Sequence, residues 1–225
     1  MKQNVIAIDG PAGAGKSTVA RRVAQQLGFI YVDTGAMYRA VTNRTLGRGL
    51  DPTDAAAVGE LAARIDVRFV REGENLRVLA DGRDVTEQIR TPAVTAAVAQ
   101  ISQVPAVRQA MVRLQRELAA AGKAVLDGRD IGTVVTPDAC CKIFLTASAG
   151  ERARRRWLEL REKGYTPDQD QLRREMEQRD KQDSERELAP LVQAPDAIAI
   201  DTTGLTIEAV VGRIVAIYQD RMRRE

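Results

Sequence analysis

The chain has 225 residues, 44% hydrophobic and 29% charged, which suits one large domain or a core with an inserted lobe and excludes a disordered chain. It has no histidine, which excludes Ser-His-Asp and Cys-His nucleophile activation, histidine-ligated zinc and an imidazole general base. The net charge is only +3, but six of the 34 basic residues are lysine (Lys2, Lys16, Lys123, Lys142, Lys163, Lys181) and the other 28 are arginine. That excess fits phosphate and carboxylate recognition, or merely genomic base composition.

In chain order, residues 5–9, 29–33, 124–127, 142–146 and 197–201 are short apolar runs that each end in a polar residue, four of them in Asp. Helical patterns separate them. This alternation predicts an α/β fold with a parallel five-stranded sheet and helices on both faces. Ligands bind beyond the carboxyl ends of such strands, so the closing aspartates fall where chemistry is expected. The apolar run at 5–8 is too short for a signal peptide, and no stretch approaches a membrane span. The only cysteines, Cys140 and Cys141, are adjacent and rarely bridge in that arrangement. We therefore expect a reduced, cytoplasmic protein with no membrane partner.

Directly after the first strand, Gly10, Pro11, Ala12, Gly13, Ala14, Gly15, Lys16 and Ser17 fit GxxxxGK[ST], the P-loop, and Thr18 continues it. The glycines let backbone N–H groups turn toward phosphate, Lys16 reaches the β and γ phosphates, and the Ser17 hydroxyl suits Mg²⁺. The helix that follows repeats Val19, Val23 and Leu27 and stops at Gly28. Thus ATP and Mg²⁺ are the expected cofactors, with Asp127 as a second, water-mediated metal contact.

After the second strand comes Asp33-Thr34-Gly35-Ala36-Met37-Tyr38-Arg39. Either Arg39 faces an anion at the sheet edge, or Thr34 simply caps a helix and Arg39 lies in solvent. Residues 67–89 alternate and are divided by Gly73, Asn75, Asp81 and Gly82, which predicts an antiparallel hairpin or three-stranded insert. A helix follows, with Thr91 as N-cap and Pro92 in its first position, and another carries Val107, Met111, Leu114 and Leu118. The block 127–133, Asp-Gly-Arg-Asp-Ile-Gly-Thr, is either a turn with a local ion pair or a site where Arg129 grips phosphate and Asp130 accepts from a base.

Ser148 and Glu151 form a capping box for a helix on which Arg152, Arg155 and Arg156 share a face. That face is either solvated or part of a lid over a triphosphate. From about Asp168, Leu172, Met176, Arg179, Asp183 and Arg186 step by four, three, four and three along one helical face. The charges of that stripe point inward, or form an exposed ion pair of a few tenths of a kcal/mol. The basic end, Arg221 to Arg224, reads as the solvated end of the last helix.

A GTPase would carry an N-K-x-D motif, which this chain lacks, and a motor ATPase would need more chain; a small-molecule kinase remains. The segments 8–18, 33–39, 89–94, 127–135 and 179–186 resemble those of bacterial cytidylate kinases, in the nucleoside monophosphate kinase branch of the P-loop fold, over nearly the whole chain. The resemblance implies transfer of the ATP γ-phosphoryl group to CMP or dCMP with Mg²⁺. It implies that Thr34, Arg108, Asp130 and Arg186 surround cytosine, that Arg39 and Arg129 bind the acceptor phosphate, and that Arg179 and Asp183 contact the sugar. Lys16, Arg129, Arg152, Arg155 and Arg156 then carry the catalytic charge. Where the family often has a cytosine-reading serine, this chain has Ala99, with Ser102 three residues on.

The expected layout is one kinase domain: a core of 1–33 and 109–225 with a lid near 148–166, and a monophosphate-binding lobe, 34–108, with the β insert near 66–90. We expect a monomer, because the lid and the acceptor lobe must move, and no nucleic-acid partner, since the arginines are spread rather than gathered and the aromatics are scattered. A kinase of UMP or another small metabolite, an ATP-binding nucleic-acid module and a nucleotide-regulated binding protein are the alternatives.

Overall fold

Short apolar runs bounded by turn residues form strands, and amphipathic runs of ten or more residues form helices. The computed structural model describes residues 3–73, 75–162 and 164–224; Lys2, Glu74 in the insert and Lys163 in the lid segment lie outside them. The strands are β1 (Gln3–Asp9), β2 (Ile30–Asp33), β3 (Val67–Glu72), β4 (Asn75–Ala80), β5 (Arg83–Asp84), β6 (Ala124–Gly128), β7 (Ala139–Thr146) and β8 (Ile198–Asp201). The helices are α1 (Lys16–Leu27), α2 (Thr34–Gly47), α3 (Ala55–Arg64), α4 (Pro92–Ile101), α5 (Pro105–Ala120), α6 (Ala149–Glu162), α7 (Gln169–Glu185) and α8 (Ile207–Arg224).

The five expected strands make one sheet in the order β2-β6-β1-β7-β8. β1 pairs in parallel with β6 and β7, and β7 with β8. Ile8 lies opposite Asp127 and Asp9 opposite Gly128, so the two central strands end side by side. The insert resolves to a separate three-stranded antiparallel sheet, β3-β4-β5.

The chain forms two compact units, residues 1–31 with 118–225, and residues 32–117. In the first, Ile6 and Ile8 of β1, Val125 of β6, Ile143 and Leu145 of β7 and Ile200 of β8 pack with Val19 and Val23 of α1 and Val210 and Ile214 of α8. Phe29 meets Tyr218 edge to face with ring centroids 5.5 Å apart, a favoured aromatic geometry. The second unit holds α2, α3, the insert, α4 and most of α5. Its buried side chains include Met37, Val58, Ile89, Val98 and Met111. Among the described residues, no helix is long and apolar enough to cross a membrane.

Local details depart from expectation where a better partner is within reach. Asp33, not Thr34, caps α2, accepting from the Ala36 N–H at 2.8 Å, because a carboxylate is the stronger acceptor for a helix N-terminus. Thr91 occupies the N-cap position of α4, but its hydroxyl donates back to the Gln88 carbonyl instead of capping. The capping box of α6 is half made: Ser148 Oγ accepts from the Glu151 N–H, while the Glu151 carboxylate turns to Arg154 and Arg155. Nor is the basic end of α8 wholly solvated, since Arg221 donates to the Cys140 and Asp196 carbonyls. Arg186 lies just past α7, in extended conformation, so the charged stripe leaves the helix at its last member.

Gly212 is an exposed interior residue of α8, and a Cβ there would meet nothing within 4 Å. Gly212→Ala should therefore stabilise the protein by roughly 0.5–1 kcal/mol in urea denaturation. Ile6→Ala, in the central strand, should destabilise it by about 2–5 kcal/mol.

Candidate active site

The loop between β1 and α1 is shaped by close backbone approaches. Gly10 has φ +148°, and a Cβ on it would lie 2.1 Å from the Leu145 carbonyl oxygen. Gly13 has φ +75°, and its Cβ would meet Met176 Cε at 2.7 Å and Arg152 at 3.0 Å. Only glycine satisfies both the backbone angles and the space. Residues 10–15 thus wrap tightly around the space in front of α1, whose first N–H groups carry the positive end of its dipole.

Lys16, the first residue of α1, is buried, and its Nζ donates to the Pro11 carbonyl at 2.7 Å. Burial pushes its pKa down to about 7; the nearby Arg129 adds to the fall and Asp127 opposes it. Ser17 Oγ donates to Asp127 at 2.8 Å, and the Tyr31 hydroxyl donates to the other Asp127 oxygen at 2.8 Å. A hydroxyl and a carboxylate at this separation form a hard oxygen donor set, which fits Mg²⁺ shared with substrate phosphates. Among the described residues, no group of three or more His, Cys, Asp or Glu side chains is placed to hold a metal by itself.

Beyond β6 the chain carries Arg129 and Asp130. Arg129 Nε donates to Asp183 at 2.7 Å, with both side chains largely buried. Burial disfavours the Asp183 charge, but Arg129, Arg179 and Arg186 outweigh it and hold its pKa below the ordinary carboxylate value. Arg179 is itself lowered, first by burial and then by Arg129. Asp130 is buried and pairs with Arg186 at 3.5 Å, while Arg186 Nε donates to the Ala189 carbonyl. In this unit the structure therefore brings together Lys16, Ser17, Asp127, Arg129, Asp130, Arg179, Asp183 and Arg186.

The three lid arginines take different sets of partners. Arg152 is buried and donates to the Ala12 and Ala147 carbonyls and to Asp180. Arg155 donates to Glu151 and to the hydroxyl and carbonyl of Thr202. Arg156 pairs with Glu159. α6 and α7 pack together through Ala153, Leu172 and Met176, with Ala12 of the phosphate loop against them.

The other unit holds Thr34, Arg39 and Arg108. Arg39 is not in open solvent: it donates to the Ile89 carbonyl at 3.2 Å and to Thr95 Oγ1 at 2.9 Å. Arg108 is buried with its guanidinium 5.9 Å from the Tyr38 ring centroid, within cation–π range. Thr34 is buried at the start of α2. Ser102 Oγ donates to the Ala99 carbonyl at 2.9 Å, so Ser102 is engaged by its own helix.

Asp9, Asp180, Tyr31 and Thr202 carry no motif of their own in the sequence. Asp9 accepts from the Ile131 and Gly132 N–H groups, and Asp180 from the Ala12 N–H and Arg152. In the sequence Asp9 is only one of several strand-closing aspartates. Asp180 sits one residue off the charged stripe, and its adjacency to Arg179 was its only signal.

A family model described as cytidylate kinase matches residues 6–220. A cytidylate kinase from Pelotomaculum thermopropionicum is 55% identical over 212 residues, covering 94% of each chain. A bifunctional pantoate ligase/cytidylate kinase from Synechococcus elongatus is 53% identical over 225 residues, 98% of this chain; the chain spans only 43% of that relative's length. Among solved structures, an uncharacterized protein from Eubacterium ventriosum shares the fold at a TM-score of 0.52 and 13% identity, covering 96% of this chain and 99% of the other.

Gly10→Ala should force the loop away from β7. The expected cost is about 1–3 kcal/mol in urea denaturation, as for other overpacked sites. An unchanged midpoint would contradict the close approach to Leu145.

Proposed function

The chain belongs to the cytidylate kinase family, and from that premise we propose that it transfers the γ-phosphoryl group of ATP to the phosphate of CMP or dCMP, in line, giving ADP and CDP or dCDP. The observation that carries this reading is the collection of buried cations and carboxylates at the carboxyl ends of β1 and β6: Lys16 behind the phosphate loop, Arg129 on Asp183 and Asp130 on Arg186. The acceptor is already an anion, so the reaction needs no general base, in keeping with a chain that has no histidine. Catalysis reduces to positioning and to charge placed where charge develops.

In this reading, residues 10–18 bind the triphosphate. Lys16 neutralises phosphate charge. Arg129 exchanges its contact with Asp183 for the acceptor phosphate, which Arg39 also holds. Asp130 accepts from the cytosine amino group, with Arg186, Thr34 and Arg108 around the base, while Arg179 and Asp183 take the sugar. Arg152, Arg155 and Arg156 cover the transferring group. Ser17 would hold Mg²⁺ together with phosphate oxygens, and Asp127 would act beside it; when bound, the ion supplies further neutralisation of the triphosphate.

The adjacent thiols of Cys140 and Cys141 are buried and form no disulfide, which supports a reducing, cytoplasmic setting. The enzyme acts as a monomer on small nucleotides, with no nucleic-acid or membrane partner. UMP or another small metabolite as acceptor is the second reading; Ala99, where the family often has a serine that reads cytosine and sugar, bears on how that contact is made and on how well dCMP is accepted.

An ADP-release assay with Mg-ATP and CMP, dCMP, UMP, AMP and GMP tests the proposal: CMP and dCMP should be turned over best. Lys16→Ala should lower kcat by at least about a hundredfold, and near-normal turnover would contradict its role. Asp130→Ala should cost CMP selectivity more than ATP affinity; equal loss with every acceptor would contradict base reading.

A further inference from the structure

We infer that Asp9 is a positioning residue for phosphoryl transfer: its carboxylate fastens the turn that follows Arg129 and Asp130 to the strand end from which the phosphate loop springs. Asp9 closes β1 and immediately precedes Gly10. Its Oδ1 accepts from the Ile131 N–H at 2.8 Å and its Oδ2 from the Gly132 N–H at 2.8 Å. The carboxylate is buried, so water does not replace it as acceptor.

The segment it holds is a single wide turn. The Asp130 carbonyl accepts from the Val134 and Val135 N–H groups, and the Ile131 carbonyl from the Thr136 N–H at 2.7 Å. The Ile131 and Gly132 N–H groups open that turn and find their acceptor 122 and 123 residues away in sequence. One carboxylate thus sets the distance between the loop proposed to hold ATP and the residues proposed to hold the acceptor. Gly132 lets the turn come close: a Cβ there would lie 3.2 Å from Lys142 Cδ and 3.4 Å from Asp9 Oδ2. The arrangement deepens the kinase reading above and rests on it.

Three charged side chains surround this contact. Lys16 comes from α1, Asp130 from the turn, and Lys142 from β7, where its Nζ is paired with Asp196 at 2.9 Å. Burial pushes the Asp9 pKa up to about 6; the Gly132 and Ile131 N–H bonds and Lys16 oppose the rise, and Asp130 adds to it. Protonation weakens Asp9 as a double acceptor, so its hold on the turn loosens as pH falls through about 6.

The test compares wild type with Asp9→Asn in steady-state kinetics, varying CMP at saturating Mg-ATP, and in calorimetric titration with ATP. Loss of charge from a doubly accepting carboxylate should lower kcat/KM for CMP by about 10- to 100-fold, with the ATP Kd within about threefold of wild type. The wild-type to Asp9→Asn ratio of kcat/KM should shrink toward one between pH 7.5 and pH 5, since protonation makes the wild type resemble the variant. Taking the ratio cancels titration of the acceptor phosphate. Gly132→Ala, which crowds the same contact from the other side, should share the CMP-selective loss and serves if Asp9→Asn does not fold. Equal losses toward ATP and CMP, or a ratio independent of pH, would overturn the inference. If the wild type turns over a different acceptor, the substrate reading fails, and the same ratio measured with that acceptor decides the role of Asp9.

Discussion

Placing an ammonium group out of water is the constraint from which the rest of this site follows. Lys16 is buried at the foot of the phosphate loop, where burial is the largest of the causes that lower its pKa from the ordinary lysine value. Arg129 worsens the repulsion and Asp127 relieves it. A buried cation of this kind persists only with opposite charge at hand. Asp127 is supplied by the end of β6 and oriented by Ser17 and Tyr31. The neighbouring cations are balanced in the same way: Arg129 by Asp183, Arg186 by Asp130, and Arg152 by Asp180. Each pair joins segments far apart in sequence, so the charge balance also fixes how the loops and helices beyond the sheet are placed. Phosphate binding, in the proposed mechanism, exchanges protein carboxylates for substrate anions on cations that are already oriented.

The phosphate loop is held from outside as well. The Asp180 carboxylate accepts from the Ala12 N–H, and Arg152 donates to the Ala12 carbonyl while pairing with Asp180. Met176 and Ala153 add apolar packing against Ala12 and beside Gly13. The helices read as a lid are thus coupled to the loop they are proposed to cover. Side-chain positions that matter for chemistry are in this way tied to the packing of α6 on α7, which mutations remote from the loop can disturb.

Much of this was legible in the sequence, for local reasons. Strands buried on both faces must be apolar and short, so the five sheet strands could be found from their runs and closing residues. β6 and β7 run slightly longer than expected because Gly128 and residues 139–141 also pair with β1 or lie beside it. The phosphate loop was legible because its glycines answer steric demands at fixed spacing. The insert was legible from its alternation and turn residues. Contacts made by long side chains across the fold were not. Arg221 looked like a solvated tail residue, and only tertiary structure carries it to the Cys140 carbonyl. Arg152, Arg155 and Arg156 share a spacing but not a partner. The anchoring roles of Asp9 and Asp180 depend on acceptor and donor brought together from more than a hundred residues apart, which no local pattern encodes. Arg186 left its stripe because the helix ended one residue earlier.

That Lys16 binds phosphate anions at the foot of the phosphate loop is tested most directly by thermal unfolding with and without inorganic tripolyphosphate. An anion that binds the folded state near Lys16 raises the melting temperature by mass action. The melting temperature of the wild type should rise by several degrees at saturating tripolyphosphate, and that of Lys16→Met little or not at all. An equal rise in both proteins, or none in the wild type, would contradict it.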